Sequence, residues 1–263
     1  MRYAVWPFRP QVSTAATLTN IAGDHCCRFA TRCDQASFPG NKLLGRRLSL
    51  GNYLGIGLYV HWTFALLVIY VAFSARTEGA SGVVYGVSQL LGVFLCVTLH
   101  EYGHALAARR FGIPTLDITL LPIGGVARLE RMPRIPWQEL VVAVAGPAVN
   151  VVIAGALWFG FVAWGSKDLI DVLAGRPVDE ETMQYAVTLL TEPSLIGFAL
   201  TMLIVNTMLV VFNMIPAFPM DGGRVFRSIL AMMIDYRRAT LVASRVGLVV
   251  AAVMAGYAVY WGH

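Results

Sequence analysis

Charge is what this sequence has least of. Only 13% of its 263 residues are Asp, Glu, Lys or Arg, while 57% are hydrophobic. A soluble domain carries about a quarter charged residues, because its surface requires them. The shortage excludes a single soluble globule. It is also uneven: residues 48–75, 79–100, 140–166, 193–220 and 246–263 contain no charged residue, in runs of 28, 22, 27, 28 and 18. About 20 apolar residues cross the hydrocarbon core as a helix, so each run is long enough, or nearly so, to span it. One such run could be a buried core helix; five make a multi-span membrane protein.

Cysteine and histidine are scarce as well, at four and five residues. Cys26, Cys27 and Cys33 cluster near the N-terminus without a Cys-x-x-Cys pair, which argues against a zinc site there. Five histidines are too few for a membrane di-iron oxidase. Residues 1–41 lack an apolar run long enough for a signal-peptide core. The net charge of +5 is no sign of a nucleic-acid partner, because the basic residues sit at helix ends and in short loops.

Residues 1–42 read as an N-terminal leader, expected to be disordered, and residues 43–263 as the transmembrane domain. The expected fold is an all-α polytopic membrane protein of five to six transmembrane helices, with a small membrane-embedded or interfacial β-hairpin. Five helices are expected over about residues 59–75, 84–110, 137–164, 194–215 and 240–261. A short amphipathic helix over about 224–234 is the doubtful sixth. Gly51, Gly55 and Gly57 predict an irregular or interfacial stretch before the first helix. Pro122, Gly124 and Gly125 between short apolar runs predict a hairpin over 116–130. The loop containing Arg109, Arg110, Arg128, Arg131 and Arg134 should face the cytosol. The acidic connection from Lys167 to Glu192 should face away from it.

The informative motif is His100-Glu101-Tyr102-Gly103-His104 on the second helix. Positions i and i+4 share one face of a helix, so both imidazoles can bind one metal ion. Glu101 stands beside them, placed to take a proton from water as general base. Ionisable groups inside a membrane helix are costly and rare unless they are paired, ligated or facing a wet cavity. A catalytic zinc generally keeps three protein ligands. Asp221 is the candidate third, in a segment where Pro216 and Pro219 prevent regular helix and Gly222 and Gly223 permit a sharp turn. A helix C-cap and turn is the plainer alternative for Asp221. Asn150, on the third helix after Gly146-Pro147, is either an oxyanion donor or half of a helix-to-helix hydrogen bond.

Taken together, His100–His104, Gly124-Gly125, Gly146-Pro147 with Asn150, and the stretch from Asn213 to Gly223 resemble the site-2 protease family of intramembrane zinc metalloproteases. The resemblance covers about Leu43 to the C-terminus and is to the compact form without PDZ or CBS domains. It implies zinc (Zn2+) bound by His100, His104 and Asp221, Glu101 as general base and Asn150 near the reacting carbonyl. It also implies substrates that are membrane-anchored regulatory proteins, cut in or next to their transmembrane segments. The expected setting is a multi-pass protein of the cell's inner (plasma) membrane, with the active site toward the cytosol and the lipid bilayer as its other partner. Because a helical substrate must unwind before water can attack, the hairpin around Gly124 and Gly125 is the expected substrate-binding element, through strand addition. The competing reading is a membrane metal transporter or metal-binding protein without peptidase activity. A transporter should spread ionisable groups along several spans as a pathway.

Overall fold

The computed structural model describes residues 47–130, 133 and 135–261. The leader expected at residues 1–42 lies outside the described residues. The described chain opens on a hairpin, β1 (Arg47–Tyr53) and β2 (Ile56–His61). Two helices follow, α1 (Thr63–Ser74) and α2 (Gly79–Arg110), and then a second hairpin, β3 (Thr115–Leu121) and β4 (Gly124–Leu129). The remainder is helical: α3 (Pro136–Ala163), α4 (Lys167–Leu173), α5 (Glu180–Thr191), α6 (Leu195–Asn213), α7 (Asp221–Met233) and α8 (Tyr236–Trp261).

The four strands form one sheet in the order β1-β2-β3-β4, with both hairpins antiparallel and β2 parallel to β3. A parallel pair needs a crossover of a dozen residues or more, and α1 with α2 supplies it. These two helices run antiparallel: Phe64 stacks edge-on against Phe94 with centroids 4.6 Å apart, and Gly86 lies against Val71. Ile56, Leu58, Phe64, Phe94, Tyr102, Ala105, Ile118 and Leu120 join sheet and helices in one apolar core.

Among the described residues, four segments are long and apolar enough to cross a membrane: Thr63–Arg110, Pro136–Ala163, Leu195–Asn213 and Tyr236–Trp261. The five to six spans expected from the charge-free runs are not confirmed by this count, in which α1 and α2 fall within one segment. The run at 48–75 is divided between a hairpin and α1, whose 12 residues extend only about 18 Å. The amphipathic α7 has 13 residues and extends about 20 Å, too short to cross. Exposed apolar side chains such as Ile69, Leu95, Val152, Phe159 and Val211 cover the outward helix faces, as lipid contact requires.

The expected hairpin at 116–130 is present, but as half of a larger sheet. The irregular stretch before the first helix is instead β1 and β2. Their turn, Leu54-Gly55, takes positive φ at both residues (54° and 79°), which suits a two-residue hairpin connection. Leucine there is strained, and α2 holds it in place. Arg109 Nη1 donates to the Leu54 carbonyl at 2.7 Å, and the Tyr102 hydroxyl donates to the Tyr53 carbonyl at 3.3 Å. The acidic connection also folds, into α4 and α5, with Asp179 capping α5 by accepting from the Thr182 amide at 2.9 Å.

Two ion-pair clusters pin these parts. Asp117 on β3 accepts from Arg47 at 3.0 Å and from two nitrogens of Arg128, tying β1 and β4 to β3. Glu139 at the start of α3 is 1% exposed and accepts from Arg227 of α7 and, at 3.1 Å, from the Tyr236 hydroxyl of α8.

A candidate metal centre between two helices

His100 and His104 lie on one face of α2, and Asp221 is the first residue of α7. All three are buried, and one ligand atom from each forms a tight triangle. His100 Nε2 and His104 Nε2 are 3.1 Å apart. Asp221 Oδ2 lies 3.2 Å from the first and 3.0 Å from the second. Asp221 therefore begins a helix instead of ending one. Its place in the first turn also puts the carboxylate at the positive end of the α7 dipole.

The proton positions on the imidazoles decide what this triangle is. His104 Nδ1 donates to the Val142 carbonyl at 2.7 Å, and a carbonyl can only accept. His100 Nδ1 donates to Asn150 Oδ1 at 2.9 Å. With both protons on Nδ1, both Nε2 atoms present lone pairs to each other and to a carboxylate oxygen. Three electron-rich atoms at about 3 Å repel unless a cation sits among them. Tetrahedral zinc with bonds of about 2.0–2.1 Å sets its ligand atoms about 3.3 Å apart, close to the spacings found here. The donor set, two imidazoles and one carboxylate, suits zinc, and the fixed Nδ1 partners are the outer-shell contacts such sites carry.

The surrounding backbone has been brought close to make room for this geometry. A Cβ on Gly146 of α3 would lie 2.2 Å from His104 Nε2, so only glycine lets α3 pass behind that ring. A Cβ on Gly222 would lie 2.3 Å from the Ile215 carbonyl oxygen, so the turn after α6 can fold back on α7 only with glycine there.

A cavity of about 480 Å³ opens onto the triangle, lined among others by Glu101, Gly125, Ala127, Asn213, Met220 and Arg224. Glu101 points at the sheet: its Oε2 accepts from the Ala127 amide of β4 at 3.2 Å. Gly125 lies against Glu101, where a Cβ would be 3.0 Å from Glu101 Cγ. Gly124, at φ 137°, opens the strand and is not among the cavity-lining residues. Asn150 is fully buried, with Oδ1 on His100 and Nδ2 donating to Asn206 Oδ1 at 3.0 Å. Both ends of the amide are thus engaged in helix-to-helix hydrogen bonds.

Three contributors have no counterpart in the sequence reading. Val142 acts through its carbonyl, which no side-chain motif reveals. Asn206 is an isolated amide in an apolar helix. Arg224, whose Nη1 lies 3.6 Å from Asp221 Oδ1, follows the Asp-Gly-Gly turn directly and could have been noticed from that adjacency.

Fold and site together define a helical protein with apolar, membrane-length helices and a buried two-histidine, one-aspartate cluster able to hold a metal ion, beside a glutamate. The pattern of Peptidase family M50 matches residues 88–254, and the chain belongs to that family. It is 32% identical over 209 residues to a zinc metalloprotease of Methanocaldococcus jannaschii, covering 79% of this chain and 52% of that protein. It is 31% identical over 217 residues to a putative zinc metalloprotease of a Synechocystis species, covering 79% and 51%. Its fold is similar to that of a solved site-2 protease from Methanocaldococcus jannaschii. The TM-score is 0.50 at 29% identity, over 81% of this chain and 85% of the other. The chain spans about half the length of the curated relatives it matches. Its apolar helices and its family make it an integral membrane protein.

Proposed function

We propose that this chain is an intramembrane zinc metalloprotease that hydrolyses peptide bonds in or next to the transmembrane segments of membrane-anchored, regulatory proteins. The observation that carries the reading is the buried triangle of His100, His104 and Asp221, with Glu101 between it and the free edge of β4. Zinc in such a site supplies a Lewis acid that polarises a carbonyl and makes a nearby water easier to deprotonate. Glu101 takes the proton from the attacking water and delivers it to the leaving amine. His100, His104 and Asp221 hold the ion. Asn150 holds His100 in the ligating tautomer, a positioning role favoured over contact with the reacting carbonyl because both ends of its amide are occupied.

Substrate enters as an extended strand. β4 is an edge strand, and its Ala127 amide points away from β3 toward Glu101. Alternation then aims the backbone groups of Gly125, Ala127 and Leu129 into the cavity, where an unwound peptide can pair with them. N-methylation of every other substrate amide should abolish cleavage in one parity and spare it in the other; indifference to both parities removes strand addition. Arg109 and Arg110 in the last turn of α2, with Arg128 on β4, favour a cytosolic position for this end of the molecule, in a plasma (inner) membrane. The transporter alternative needs ligating groups strung along a path, whereas these three close on one point.

The test is Glu101→Gln. Zinc should stay bound while cleavage of a transmembrane reporter falls by at least about a hundredfold, the range for losing a general base. Asp221→Ala should instead lose the metal. Cleavage retained in Glu101→Gln would overturn the assignment.

A further inference from the structure

We infer that Asn206, in the middle of α6, is a positioning residue for the metal centre, setting through Asn150 which nitrogen of His100 carries the proton. The inference rests on the zinc-site reading above and adds a residue that lies outside the motifs of the sequence analysis. Asn206 is fully buried. Its Nδ2 donates to the Met202 carbonyl at 2.8 Å and to Cys96 Sγ at 3.2 Å. The carbonyl accepts only, so it fixes the amide orientation: reversed, two oxygens would face each other at hydrogen-bond distance. Asn206 Oδ1 must then face Asn150, and it accepts from Asn150 Nδ2 at 3.0 Å. That in turn leaves Asn150 Oδ1 facing His100 Nδ1, at 2.9 Å.

The relay thus runs from a backbone carbonyl on α6, through one amide on α6 and one on α3, to an imidazole on α2. Every step has one allowed sense. A primary amide can present either its oxygen or its nitrogen to a neighbour, and Asn150 alone does not choose between them. If Asn206 offers no acceptor, the Asn150 amide is free to reverse and present N–H to His100 Nδ1. The imidazole proton then moves to Nε2, where a ligating lone pair is required. Asn206 is eleven residues past Leu195, about 17 Å along α6, deep in an apolar helix. Water is scarce at that depth and does not substitute for the missing acceptor.

The test compares zinc affinity, by chelator competition on the detergent-solubilised full chain, for wild type, N206D, N206L and N206A. A carboxyl group at this depth is neutral. Its hydroxyl replaces Nδ2 as donor to Met202, and its carbonyl oxygen still accepts from Asn150. N206D should therefore bind zinc within about threefold of wild type. N206L and N206A should bind about 10–100-fold more weakly, the range for losing an outer-shell contact. Cobalt(II) loaded in place of zinc should keep its four-coordinate visible spectrum in N206D and lose intensity in the apolar variants. A packing role predicts the reverse order, with the similarly sized apolar leucine tolerated best. If N206L or N206A binds zinc as tightly as wild type, the inference is wrong. If wild type itself binds no zinc, the metal-centre reading fails with it.

Discussion

At the scale of single residues, the centre depends as much on small and neutral groups as on ligands. Gly146 is the clearest case. Any side chain there collides with His104 Nε2, and the ring cannot retreat without leaving the Val142 carbonyl that fixes its tautomer. Gly146→Ala should raise the zinc dissociation constant at least about tenfold while the helices remain, as measured by chelator competition and circular dichroism. An unchanged constant would mean that α3 moves aside freely. The two histidines were legible because their relation is local: four residues on a helix always share a face. Asp221 was legible because prolines and a Gly-Gly pair marked its turn. Asn206 was not, since one amide in an apolar run has no pattern until three helices are assembled around it. Asn150 was visible as a residue, but its partners were not.

At the scale of elements, the sheet is where sequence and structure diverge most. β1 is exposed along nearly its whole length, so it shows none of the alternation that betrays a half-buried strand, and Gly51 within it, with Gly55 and Gly57 just after, reads as irregularity. Beyond its hairpin with β2, it is held by a remote contact: Arg47 of β1 reaches Asp117 of β3, 70 residues away. The cap on α5, in contrast, is local: Asp179 accepts from the Thr182 amide, and Glu180 and Glu181 fill the first turn. The Asp117 cluster has a pH signature. Burial pushes its carboxyl up, but the hydrogen bonds and charges of Arg128 and Arg47 outweigh this and hold it below the ordinary value. A carboxylate with a lowered folded value stabilises above the unfolded value of about 4, and that contribution is lost as pH falls through the folded value. Asp117→Asn should therefore unfold at lower temperature than wild type at pH 7, and the gap should close as pH drops below about 4. A gap that stays constant with pH would show that the ion pairs contribute nothing through charge.

At the scale of the molecule, an ion held by the proposed ligands would act as a cross-link, joining α2 to α7 across 121 residues of chain. Without a cation, two imidazole lone pairs and a carboxylate oxygen face one another in a buried site, so the folded state loses the ion's binding energy and gains their repulsion. Chelation should therefore lower the unfolding temperature of the whole bundle. At free zinc one hundred times the dissociation constant, linkage contributes about 2.7 kcal/mol, roughly 5–10 °C for a chain of this size. α7 should nonetheless stay docked, because Arg227 and Tyr236 hold it and α8 to the buried Glu139 independently of the ion. Asp221→Ala provides the control. Its unfolding temperature should already be low and should not respond to chelator. Equal chelator sensitivity in wild type and Asp221→Ala would mean that the stabilising ion lies elsewhere. Insensitivity in wild type as well as in Asp221→Ala would mean that the two helices are joined without it.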